Sequence, residues 1–194
     1  MKKIAILALM LGLLAGCGTG RAASALPEEM PADFEIRYEN WIDADAINIY
    51  DTGEKLLQKD LVDPDGQRIA QAELIVSDET KQEIYAKVRA CALDQLGDEK
   101  LTSENLTIDG TQVGVSPLRE YEITFTANGT TYTVTGDSTA QSYIRQNGRA
   151  AQFWEFMQYM EERDNPKFCV TAKSGANREK FIMGGRRVKR LPPC

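Results

Sequence analysis

Four cysteines, several close pairs of carboxylates and a complete lack of histidine bound the chemistry open to this 194-residue chain. Without histidine there is no imidazole base, no His zinc ligand and no Ser-His-Asp triad. Cys91 falls on an apolar stripe with Ile84 and Val88 at helical spacing, where a free cysteine acts as a small core residue. Cys169 and Cys194 are candidates for a disulfide if the chain is exported. Glu28-Glu29, Asp43/Asp45, Asp63/Asp65 and Glu161-Glu162 are the paired carboxylates that acid–base hydrolysis of a glycoside would need. In a chain with 29 acidic residues such neighbours arise by chance, and these fall in turns or at helix ends.

Other ligand motifs are incomplete. Asp63-Pro64-Asp65-Gly66 has the look of a calcium loop. With Gly66 at the sixth position, however, Leu61 and Ala72 occupy the first and twelfth, where carboxylates are required. Gly184-Gly185 lacks the spacing and the flanking strand and helix of a phosphate loop. Trp41, Tyr143, Trp154 and Tyr159 would make either an aromatic platform or core. No catalytic, cofactor-binding or metal-ligating residue is assigned, and no cofactor is expected.

Cys17 is set apart by what precedes it. Lys2 and Lys3 are followed by an apolar run from Ile4 to Leu14, then Leu14-Ala15-Gly16-Cys17. As a helix the run reaches roughly 16 Å at ~1.5 Å per residue, short of the about 20 residues that span a bilayer. A charged start, a short apolar segment and small residues before a cysteine read as a removable targeting element. The segment resembles the signal peptide of a bacterial lipoprotein, with Leu14 to Cys17 as the lipobox. The resemblance implies that the Cys17 thiol receives a diacylglyceryl group, that cleavage removes residues 1–16, and that acylated Cys17 anchors the protein on the extracytoplasmic face of a bacterial membrane. Two acyl chains suffice where one holds only marginally. With Cys17 acylated three cysteines remain, and an odd number cannot pair fully.

Charge divides the remainder. Residues 1–166 carry 15 basic against 28 acidic side chains, a net of −13; residues 167–194 carry 8 basic against Glu179 alone, a net of +7. An acidic body argues against nucleic acid as a partner. Residues 17–32, rich in Gly, Ala, Ser and Pro, read as a lipidated N-terminus and flexible tether. Residues 33–166 read as one domain, and 167–194, with Arg186-Arg187 and Lys189-Arg190, as a basic disordered tail.

Within the domain, Phe34–Tyr38, Ala46–Tyr50, Lys55–Val62 and Ala70–Val76 carry strand signals, with a turn at Asp51-Thr52-Gly53-Glu54 in which Gly53 can take positive φ. Ser77 caps a helix ending at Gly97, with Asp78 and Glu79 at its positive end. Tyr121, Ile123 and Phe125 alternate with polar residues, and Asn128-Gly129 is the preferred type I′ turn. A two-residue loop sets Phe125 opposite Tyr132 and Ile123 opposite Val134. A second helix runs from Gly148 or Arg149 to Arg163. The fold class is therefore α+β: an antiparallel sheet from two hairpins backed by two helices, with a loose ββα repeat as an option. The function expected is a lipid-anchored binding module for a protein or envelope component; a carboxylate-dependent envelope hydrolase and a purely structural lipoprotein are the alternatives.

Cys17→Ser keeps the shape and loses the nucleophilic thiolate. Fractionation of cells should find this variant uncleaved before residue 17, or released. Retention on membranes in high salt after normal processing rules the lipobox out.

Overall fold

The computed structural model describes residues 20–42, 47–60, 69–97, 100–112, 114–164, 170–171 and 180–181. Strands β1 (Glu35–Trp41), β2 (Asn48–Asp51), β3 (Leu56–Asp60) and β4 (Ile69–Glu73) form an antiparallel meander, each pairing with the next. Helix α1 (Asp78–Ala90) follows, then a small hairpin, β5 (Thr107–Ile108) and β6 (Thr111–Gln112). The long hairpin of β7 (Glu120–Ala127) and β8 (Thr130–Asp137) pairs with β1 on its free side, antiparallel over seven residues. Helix α2 (Gly148–Asp164) comes last, with two-residue strands β9 (Val170–Thr171) and β10 (Lys180–Phe181) beyond β4. The sheet order is β10-β9-β4-β3-β2-β1-β7-β8. The architecture is α+β, as expected, but the first half contributes a four-stranded meander where a single hairpin was expected, so β1 lies inside the sheet.

Local rules explain the best-formed parts. Asn128 and Gly129 have φ of 52° and 70°, the two positive values a type I′ turn needs. The register puts Phe125 opposite Tyr132 and Ile123 opposite Val134. The Phe125 and Tyr132 rings stack with centroids 4.9 Å apart. Ser77 accepts the Thr80 N–H at 3.2 Å to cap α1. Asn147 Oδ1 accepts the N–H groups of Arg149 and Ala150 at 2.9 and 3.0 Å and caps α2.

Two turns differ from expectation. Lys55, not Gly53, takes positive φ in the β2–β3 turn. Asp51 Oδ1 holds the turn by accepting from the N–H groups of Gly53 and Glu54, both at 2.9 Å. A Cβ on Gly53 would stand 2.7 Å from Oε2 of the exposed Glu35, a flexible side-chain end that can swing aside. Helix α1 ends at Ala90, seven residues before Gly97, because Ala92 adopts φ 48° and starts a 3-10 turn over Leu93–Gln95. Cys91, Ala92, Leu93 and Leu96 are all fully buried there. The burial they gain outweighs the cost of a left-handed alanine.

Both helices pack on one face of the sheet. Ile84, Tyr85 and Val88 of α1, and Phe153, Phe156, Met157 and Met160 of α2, join Ile36, Tyr38, Tyr121, Ile123, Phe125 and Val134 in a single core. The closest approach is at Gly136, where a Cβ would lie 2.5 Å from Phe153 Cζ and 3.0 Å from the Leu101 carbonyl oxygen. Leu101 itself forms a parallel bridge to Gly136. Asp137, buried at the end of β8, accepts from the N–H groups of Thr139 at 2.8 Å and Ser103 at 2.6 Å. It thereby caps the 3-10 helix over Ser138–Tyr143 and ties the 101–106 loop to the sheet.

Residues 20–32 do not form a free tether. Arg21 pairs with Glu155 at 2.8 Å, and the Ala22 N–H and C=O both bond the Gln152 amide. Ala25 N–H reaches Asp94, Leu26 is buried, and Tyr85 Oη donates to the Pro27 carbonyl at 2.7 Å. Small residues suit a linker, but they also let a chain lie close against a helix surface. Of the tail, only the four residues of β9 and β10 are described.

Gly136→Ala forces the Phe153 ring out of place, and overpacking of this kind costs about 1–3 kcal/mol. Thermal unfolding should show a fall of several degrees. Gly114→Ala, with open space around it, is the matched control and should leave the midpoint unchanged.

Candidate binding face

The sheet face opposite the helices carries no helix among the described residues. The period of two places Glu35, Arg37, Glu39 and Trp41 of β1 there, flanked by Asp51 of β2 and by Glu120, Glu122, Thr124 and Thr126 of β7. Thr131 and Thr133 of β8 continue it, in hydroxyl contact with Thr126 and Thr124 at 3.1 and 3.3 Å. Arg37 stands near the centre. Its Nη1 donates to Asp51 Oδ2 at 2.7 Å, and its guanidinium also binds Glu39. Partial burial alone would lower the Arg37 pKa, but the hydrogen bonds it donates to Asp51 and Glu39 prevail and raise it. Glu39 lies directly opposite Glu122, so without Arg37 two like charges would face each other. At one end of this face a shallow cavity of about 250 Å³ is lined by Glu35, Arg37, Asp51, Glu54, Thr124 and Thr126.

The residues singled out from sequence scatter. Tyr143 is core, its hydroxyl donating to the Leu106 carbonyl at 2.6 Å. Trp154 packs edge-on against Tyr121, with centroids 6.4 Å apart, on the helix side. Tyr159 lies under Lys87 and Arg163. Only Trp41 reaches the open face, so the four aromatics form no platform. Cys91 is fully buried, and that burial pushes its thiol up to about 12, which makes it inert as a nucleophile near neutral pH.

Glu28 and Glu29 are exposed on the N-terminal segment. Glu161 accepts a hydrogen bond from Tyr121 Oη at 3.0 Å, and neighbouring Glu162 is exposed. Cys17, Asp43, Asp45, Asp63, Asp65, Cys169 and Cys194 lie outside the described residues. Among the described residues no group of three or more Cys, Asp or Glu is placed to hold a metal ion.

Three carboxylates depart downward from the ordinary range. Asp33 is lowered by the backbone N–H of Gly129, Glu79 by its own N–H together with Ser77, and Glu155 by Lys87 and then Arg21. A glycosidase-type general acid needs the opposite shift. The Arg37–Asp51 centre escaped the sequence reading. Its two members are 14 positions apart and meet only through the β1–β2 pairing; alternation along Glu35–Trp41 was the one available signal.

Comparison with known protein families, with curated proteins and with solved structures returns no match.

Arg37→Ala leaves Asp51 Oδ2 without its donor, on a side chain only 7% exposed, while Oδ1 keeps the Gly53 and Glu54 N–H groups. Denaturant unfolding should show a loss of about 1–3 kcal/mol, the usual cost of an unsatisfied buried polar group. Asp51→Asn added to Arg37→Ala should cost less than the two changes separately, since the asparagine carbonyl can still accept from Gly53 and Glu54.

Proposed function

We propose that the chain is a lipid-anchored binding module on the extracytoplasmic face of a bacterial membrane, held by acylated Cys17. The observation that carries this reading is Leu14-Ala15-Gly16-Cys17, at the end of an apolar run too short to span a bilayer. The open sheet face supports binding as the task. It gathers Glu35, Glu39, Asp51, Glu120 and Glu122 around one arginine, with threonine hydroxyls alongside. Such a face suits a protein or envelope component that presents cationic and hydrogen-bonding groups.

A photo-crosslinking residue at position 124 in intact cells tests the reading. It should capture a discrete partner in the membrane fraction, and Glu122→Lys should abolish the capture. The same residue at position 86, exposed on α1, should capture none. Capture from position 86 alone moves the partner to the helices, and capture from neither position refutes the sheet-face assignment.

A further inference from the structure

We infer that the end of the domain around Ile144, Arg145 and Arg149 rests on the anionic membrane surface that holds Cys17. This rests on the lipid-anchor reading above. The first support is distance. A Cβ on Gly20 would stand 4.0 Å from the Gly148 backbone nitrogen, so Gly20 is held against the start of α2. Ala22 is fixed to Gln152 by two hydrogen bonds of 2.9 and 2.8 Å, and Arg21 to Glu155. Gly20 lies three residue steps beyond Cys17. At the maximum of ~3.6 Å per residue these steps span about 11 Å. With the 4.0 Å from Gly20 to Gly148 added, the start of α2 lies within about 15 Å of the acylated residue, a short reach beside the ~30 Å hydrocarbon core.

The second support is the chemistry at that end. Ile144 is 43% exposed, one of few large apolar side chains so placed among the described residues. It is presented on a fixed turn. The Tyr143 carbonyl accepts from the N–H groups of Gln146 and Asn147 at 2.9 and 2.8 Å, and the Tyr143 hydroxyl is tied to Leu106. Arg145 and Arg149 follow Ile144 in sequence and are exposed. No Asp or Glu occurs from Ser138 through Trp154, or from Met1 through Pro27, in a chain with 29 of them. An exposed apolar side chain followed by arginines, in a segment without carboxylates, is the composition that anionic headgroups favour. A short anchor keeps it there, where a long tether would leave the domain to stand off.

The test uses the full lipidated chain in vesicles of phosphatidylcholine with and without phosphatidylglycerol. With Cys169→Ser and Cys194→Ser, Ile144→Cys offers one accessible thiol for an environment-sensitive fluorophore, since Cys91 is fully buried and Cys17 acylated. A second label site, Thr131→Cys, lies on the open face, roughly 23 Å along β8 from Ser138 at ~3.3 Å per residue. Emission from position 144 should shift to the blue on phosphatidylglycerol vesicles and less on phosphatidylcholine alone, with no shift at 131. Arg145→Glu should reduce the shift at 144 to its value on the neutral vesicles. A chain that floats with vesicles while position 144 keeps its aqueous emission overturns the contact and leaves the anchor standing. A chain that does not float at all overturns the anchor, and the contact with it.

Discussion

The contact between Phe153 and Gly136 is the constraint on which the rest of the packing depends. A sheet strand without a side chain lets an aromatic ring from α2 lie directly on the backbone, with no Cβ between them. Once α2 is that close, Phe156, Met157 and Met160 follow into the same core, and Tyr121 meets both Phe153 and Trp154 edge-on at 6.1 and 6.4 Å. The same glycine bridges Leu101. Sheet, helix and loop are thus fixed by one residue's lack of bulk, a role that glycine within a strand commonly serves.

Asp137 complements that contact in the polar register. A buried carboxylate must be satisfied, and this one accepts from two backbone N–H groups and the Thr139 hydroxyl. It joins the end of β8, the 3-10 helix and the 101–106 loop at a single point. The turn bearing Ile144 hangs from this assembly through the Tyr143–Leu106 hydrogen bond. Its position is therefore set by the core, not by a free loop.

Charge is sorted over the body. Carboxylates collect on the open sheet face around Arg37, whereas the segment 138–154 has arginines and no acid at all. The docked N-terminal segment brings Gly20 to the start of α2, beside the second of these regions. A protein of net charge −6 would be repelled as a whole by an anionic surface. In the proposed reading, sorting would let one end approach such a surface while the acidic face serves a different partner.

Local sequence determined what depends on neighbours a few positions apart. Asn128-Gly129 and the alternation around it dictated the β7–β8 register, because a two-residue turn and a period of two leave one alignment with all apolar residues on one face. Ser77 placed the start of α1, because its hydroxyl needs only the N–H three residues on. The α+β class followed from the mixture of these signals. Tertiary structure decided the rest. That β1 pairs with β7, with Glu35 opposite Thr126, is a long-range choice set by shared burial; it brings Arg37 to Thr124 on one side, while the β1–β2 pairing brings it to Asp51 on the other. The positive φ of Lys55 and Ala92 overrides the glycine rule: hydrogen bonds to Asp51 hold the first turn, and burial of Cys91, Leu93 and Leu96 holds the second. Residues 20–32 looked like a linker because Gly, Ala and Ser carry no periodic signal. Only the folded helices supply Gln152, Glu155 and Asp94 to hold that segment down.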